Sequence, residues 1–266
     1  MYMSNIQAAF DKKHEEGKKA FIPFITAGDP HIEATEAFIY ALEKAGSTII
    51  ELGIPFSDPV ADGPVIQRAN LRAMAKGFSL EAVFELVERV REKTKIPLVF
   101  LMYANTIHHY GIESFFKRCQ EVGVDGIIIP DVPLEEKEEF NSYAKANGVD
   151  LIALVAPTSG ERIKAICETA TGFLYCVSSL GVTGTRESIE TDLGSFFENI
   201  KEHCTIPTAL GFGISTKEQA ILLKDYADGI IVGSAIVKIV EAYGEAAAPY
   251  LTQFAGDIVK SIYLMS

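Results

Sequence analysis

Two acidic residues stand out by their surroundings. Glu51 lies inside Ile49-Ile50-Glu51-Leu52-Gly53, a carboxylate set among aliphatic side chains. Lost hydration there raises a carboxyl pKa and lets one group serve as acid and base in turn. The competing reading is a structural glutamate paired with a buried lysine. Asp62 lies near the end of Pro55-Phe56-Ser57-Asp58-Pro59-Val60-Ala61-Asp62-Gly63-Pro64, where two acids stand among three prolines. Such a backbone has few conformations to lose and holds a carboxylate in place. An aspartate just before Gly63-Pro64, a helix start, serves equally well as an N-cap. A second carboxylate near Glu51 tips the balance towards chemistry.

An anion site is legible separately. Gly181-Val182-Thr183-Gly184, Gly211-Phe212-Gly213-Ile214 and Gly233-Ser234 each follow an apolar run, the last just before a helical pattern. Glycines let backbone N–H groups approach an anion, and a helix N-terminus adds donors and a favourable dipole. Turn glycines are common, so the weight lies in three clusters occurring in consecutive connections. No lysine falls at a strand end, which argues against Schiff-base chemistry, and no cluster of histidines and acids suggests a metal, so no metal site is expected. General acid and base catalysis is what remains.

The elements that must position these groups are eight short apolar runs alternating with amphipathic stretches. The runs are Ala20 to Ile25, Thr48 to Leu52, Pro97 to Met102, Gly126 to Pro130, Asp150 to Val155, Gly172 to Val177, Pro207 to Leu210 and Gly229 to Val232. Continuous apolar strands imply parallel strands shielded on both sides. Eight strand-then-helix units predict an α/β fold closed into a (β/α)8 barrel, with an open doubly wound sheet as the alternative. Neither GxGxxG after the first run nor GxxxxGK[ST] occurs, which favours the barrel. His31 to Ala45, stopped by Gly46, and Ser79 to Lys93, begun by the N-cap Ser79, read as regular helices. Extra helices are expected before the first strand (Ile6 to Glu16) and after the second (Val65 to Lys76). Without a Pro/Gly/Ser-rich linker, residues 1–266 are expected to form one domain.

Composition sets the outer bounds. A hydrophobic share of 48% with 23% charged residues belongs to a chain able to bury a large core. The formal net charge of -12 argues against nucleic acid or an anionic membrane as main partner. Met1 to Glu16 lacks an apolar signal core, and no run of ~18 apolar residues occurs, so a cytoplasmic protein is expected. Cys119, Cys167, Cys176 and Cys204 form no CxxC pair and read as buried free thiols. His108 and His109 adjoin and read as an ordinary loop pair.

Phe24-Ile25-Thr26-Ala27-Gly28-Asp29-Pro30, the run from Glu51 to Gln67, Leu101-Met102-Tyr103-Ala104-Asn105, Pro130-Asp131-Val132-Pro133 and the glycine motifs after strands six and seven resemble, in order, the motifs of the tryptophan synthase alpha-chain family. The resemblance spans nearly the whole chain. It implies a reversible retro-aldol cleavage of indole-3-glycerol phosphate to indole and glyceraldehyde 3-phosphate, without a cofactor in this chain. Under it Glu51 is the acid-base residue, Asp62 accepts the indole N–H, and Tyr175 is an active-site tyrosine. Phe24, Leu101 and Tyr103 surround the indole ring, Gly184, Gly213, Gly233 and Ser234 bind phosphate, and Thr183 is a lid residue. The implied partner is a beta chain using pyridoxal phosphate in an αββα assembly, contacted through Pro55 to Pro59 and Asn105, with Asp58 the coupling residue. A stand-alone lyase and a subunit kept mainly to activate beta are the alternatives, and phosphosugar isomerases are a more distant one. Ser178-Ser179-Leu180 and Pro130 depart from the family pattern, which bears on lid and partner contacts more than on the chemistry.

Overall fold

In the computed structural model, residues 4–177, 186–211 and 213–263 are described, with the backbone alone for 186–192. Eight parallel strands, β1 (Ala20–Thr26), β2 (Ile50–Gly53), β3 (Leu98–Leu101), β4 (Gly126–Ile128), β5 (Asp150–Val155), β6 (Leu174–Val177), β7 (Thr208–Gly211) and β8 (Gly229–Val232), close into a barrel in sequence order. Closure runs from Ala20↔Gly229 to Pro23↔Val232. The architecture is the expected (β/α)8 barrel, and β5 and β8 have the expected bounds. Other strands start or stop one or two residues away, as β2 does by running on to Gly53.

The helices are α1 (Asn5–Glu15), α2 (Ile32–Lys44), α3 (Pro64–Met74), α4 (Leu80–Arg91), α5 (Ala104–Tyr110), α6 (Ile112–Val122), α7 (Glu138–Ala146), α8 (Arg162–Thr169), α9 (Arg186–His203), α10 (Lys217–Leu223), α11 (Ser234–Tyr243) and α12 (Ala248–Tyr263). Ser79 caps α4 by accepting the Ala82 N–H, and Val83, Phe84, Val87 and Val90 form its buried face. Gly46 follows α2 at φ 101°, a conformation only glycine adopts freely.

Strand alternation explains why the runs are apolar throughout. One set of side chains, including Ile22, Ile49, Val99, Ile152, Tyr175 and Ile231, fills the barrel interior. The other, including Phe21, Leu52, Phe100, Leu151, Leu174 and Ile230, packs under the helices.

The extra N-terminal helix plugs the bottom of the barrel. Ile6 and Phe10 of α1 join the interior cluster. Two strand residues must be small to admit them: a Cβ on Gly126 would stand 2.8 Å from Ile6 Cδ1, and one on Gly229 would stand 3.1 Å from Phe10 Cε1.

Two further helices go beyond the expectation of two insertions. Helix α5 follows β3, and Gly111, at φ 92°, ends it and begins α6. His108 and His109 therefore lie on a helix rather than in a loop. Helix α11 precedes α12, which packs on α2 and α10 and completes the outer ring. No helix among the described residues is long and apolar enough to cross a membrane. All four cysteines are free.

The plug makes a stability prediction. Phe10→Ala removes a ring seated 5.6 Å from that of Phe173, and the loss should be about 3 kcal/mol in a denaturant titration. A loss below about 1 kcal/mol would show that α1 rests on the barrel without filling it.

Candidate active site

Glu51 points into the barrel from β2, between Phe24 of β1 and Val99 of β3 in register. It is 1% exposed, and its Oε2 has no hydrogen-bond partner. Burial, with the nearby charge of Asp62 second, pushes its pKa from 4.5 up to about 8. The buried-lysine alternative fails: no cation contributes to that shift, and no ion pair holds Glu51 among the described residues. A carboxyl in this setting keeps its proton near neutrality.

Asp62 is no N-cap. That position of α3 belongs to Gly63, with Pro64 as the first helical residue. The Asp62 carboxylate instead accepts a hydrogen bond from Asn70 Nδ2 at 3.1 Å and another from the Tyr103 hydroxyl. Burial still raises its pKa, and these two donors oppose the rise. The same Tyr103 hydroxyl accepts the Ala61 N–H at 3.0 Å, and its ring stacks on Phe56 at 4.9 Å. Three contacts thus fasten the proline-rich loop to the end of β3. Burial and the neighbouring acids hold the Tyr103 phenol up at about 12, so it remains a donor.

Of the three residues expected to surround a ring, Phe24 and Leu101 share one cluster. Phe24 packs with Ala69 of α3 and Val237 of α11, and Leu101 joins them. Tyr175 lies fully inside, where burial and then the charge of Glu51 push its phenol well above the ordinary value. Two glycines make room for these rings: a Cβ on Gly53 would meet Phe24 Cζ at 2.3 Å, and one on Gly211 would meet the Tyr175 hydroxyl at 2.7 Å. Gly211, grouped above with the anion-binding glycines, is thus required by its neighbour's hydroxyl.

Two of the residues expected to bind an anion open α11. Gly233 N-caps α11, and a Cβ there would touch Phe24 Cβ at 3.5 Å. Ser234 opens the helix, whose first amide groups lack intrahelical partners. Gly213 adopts φ 85°, a left-handed conformation that favours glycine. Thr183, Gly184 and Ser178 to Leu180 lie outside the described residues. Asp58 is exposed, taking a hydrogen bond from Ser57. Val60 beside it is 85% exposed.

Several contributors were not legible beforehand. Asn70, 3% exposed, sits on the inner face of α3 with Ala69 and Ala73. The signal was available as a single amide in an otherwise apolar helical stripe. Arg72 of α3 grips the buried Asp29 with two hydrogen bonds, 2.9 and 2.7 Å, and reaches Glu241 of α11 at 3.1 Å. Arg68 takes Glu241 from the other side at 2.7 and 3.0 Å. These ion pairs tie the helix holding Asn70 and the helix holding Ser234 to the end of β1. Among the described residues, no group of three or more His, Cys, Asp or Glu side chains could hold a metal.

Taken together, a buried carboxyl that keeps its proton lies within electrostatic reach of a second carboxyl held by two donors, and the N-terminus of α11 lies beside Phe24. Such a pair can pass a proton at one atom and offset positive charge at another.

Comparison with known proteins gives the family. An alpha chain of tryptophan synthase from Thermoanaerobacter sp. (strain X514) is 52% identical over 245 residues, covering 92% of this chain and 94% of the relative. That from Lacticaseibacillus casei is 46% identical over 258 residues, covering 97% and 95%. The crystal structure of tryptophan synthase subunit alpha from Legionella pneumophila str. Paris superposes with a TM-score of 0.90 at 34% identity, covering 98% of this chain and 99% of that one. A chain of the tryptophan synthase complex from Pyrococcus furiosus gives 0.83 at 37% identity, covering 91% and 99%. The family profile described as tryptophan synthase alpha chain matches residues 10–258, and the chain belongs to that family.

Proposed function

We propose that this chain, acting as one barrel domain, cleaves indole-3-glycerol phosphate to indole and glyceraldehyde 3-phosphate by proton transfer alone. The observation that carries the proposal is the unpartnered, buried Glu51 carboxyl beside Asp62. With its pKa near 8 it is loaded with a proton at neutral pH, and it gives that proton to the indole ring carbon bearing the glycerol chain. Positive charge then appears on the ring nitrogen, where Asp62, accepting the N–H, stabilises it. The Glu51 carboxylate next takes the proton of the hydroxyl on the adjacent chain carbon. As that oxygen becomes the aldehyde, the carbon–carbon bond breaks and its electron pair returns to the ring. Glu51 ends protonated, ready for another cycle.

The remaining residues orient and enclose. Phe24, Leu101 and Tyr103 wall the indole, and Tyr175, which keeps its phenol proton, donates within the pocket. Gly213, Gly233 and Ser234 supply amide donors to the phosphate at the N-terminus of α11, and Gly184, outside the described residues, keeps the phosphate role that the resemblance implies. Thr183, outside the described residues, keeps the lid role that the resemblance implies.

One Pyrococcus furiosus structure is described as the structural basis of mutual activation of the tryptophan synthase a2b2 complex. We carry that arrangement over as a cytoplasmic α2β2 heterotetramer, with pyridoxal phosphate in the beta chain and indole passing between the sites. The loop from Pro55 to Pro59, exposed at Ser57 and Asp58, with Asp58 as coupling residue, and Asn105 supply the contact. Because that loop also carries Asp62, docking there alters the catalytic carboxylate's setting.

Three outcomes are expected. Product analysis with indole-3-glycerol phosphate yields indole, and added beta chain raises the turnover; equal turnover with and without beta would remove the coupling. Glu51→Gln lowers kcat about 100-fold to 10,000-fold with the fold intact. The same variant becomes more stable relative to the parent as pH rises. A carboxyl whose folded pKa of about 8 lies above its ordinary 4.5 favours the folded state below the lower value and loses that contribution through the higher one. Denaturation at pH 5 and pH 9 reads this directly. A stability difference unchanged between the two would show that Glu51 is ionised throughout.

A further inference from the structure

Along β5, bounded by the connection between β4 and α7, residues 157–159 and α8, lies a crevice of about 310 Å³, within the size range of small-molecule sites. Leu151 and Ala153, facing outward from β5, and Ile166 of α8 give it an apolar lining. In a chain of net charge -12, that lining carries two cations, Lys137 and Arg162, two hydroxyls, Thr158 and Ser159, and no carboxylate. None of Glu51, Asp62 or Tyr175 lines it.

Its cations have donors to spare. Lys137 Nζ gives one hydrogen bond, to the Thr169 carbonyl at 3.1 Å, and has no ion-pair partner among the described residues. Burial lowers its pKa to about 8 although the charge of Glu138 acts the other way. A half-buried ammonium with two N–H groups unused is costly unless an anion completes it. Arg162 commits only Nη2, to both oxygens of Glu135 at 2.8 and 2.7 Å.

We propose that this crevice binds a small amphiphilic carboxylate, its anion on Lys137 and its apolar body against Leu151, Ala153 and Ile166. A carboxylate offers acceptors to the spare ammonium protons and leaves the apolar wall in contact with hydrocarbon. Inorganic phosphate has no apolar body, and a neutral ligand leaves the ammonium uncompensated.

Benzoate is the probe, titrated into the full chain and followed by calorimetry and saturation-transfer NMR, with benzamide as its neutral counterpart. Benzoate should bind at least about tenfold more tightly than benzamide, the margin of one charged hydrogen bond. Lys137→Met should erase that margin. Ile166→Phe, which fills the crevice from α8 with the ammonium intact, should abolish binding and stands as the test should the first variant misfold. Saturating inorganic phosphate should leave benzoate bound. Absent benzoate binding, equal affinity for benzamide, unchanged binding in either folded variant, or displacement by phosphate would each overturn the proposal.

Discussion

The structure turns on one unfavourable placement: a carboxyl buried on the inner wall of a barrel, with one oxygen lacking any partner. Left charged it would lose hydration without compensation, so it holds its proton instead. Nothing in the barrel gains stability from this. The rest of the interior must therefore be well enough packed to carry it, and two apolar layers, one inside the strands and one under the helices, provide that packing. A less complete core would relax around Glu51, admit water, and return its pKa to the ordinary carboxylate range.

Placement of the second carboxyl is achieved differently. Asp62 comes from a loop and depends on borrowed rigidity, from prolines within the loop, from Tyr103 beneath it, and from Asn70 on α3. Helix α3 is in turn fixed through Arg72 to Asp29 and through Arg68 and Arg72 to Glu241. The inserted helices thus act as braces, linking the aromatic cavity to the amide end at α11. The two carboxyls accordingly differ in kind: one isolated and proton-retaining, the other held by donors that favour its charge. Such divergence lets one carboxyl pass protons while the other stabilises charge.

Much of this was legible in the residues. Parallel strands buried on both faces must be apolar, so the eight runs and their closure could be read directly, and Glu51 was conspicuous as a charge within one of them. Sequence proximity of Asp62 to Gly63-Pro64 left a capping aspartate open, and only the position of Gly63 at the N-cap removed it. What escaped reading depends on neighbours far along the chain. Gly53 is small because of Phe24, and Gly211 because of Tyr175, across adjacent strands. Helix α5 is only seven residues long and is separated from α6 by a single glycine. Too few residues fall on its buried face for periodicity to mark it.

The most direct measurement of the central claim is the protonation of Glu51 itself. Carbon-13 NMR of the side-chain carboxyls, with the Glu51 signal assigned by its loss in Glu51→Gln, can be followed across pH in the free chain. A midpoint near 8, moving down when Asp62→Asn removes the neighbouring charge, agrees with the burial and coupling described. A midpoint near the ordinary 4.5, indifferent to Asp62, would mean that water reaches Glu51 and that the proton-loaded carboxyl does not exist.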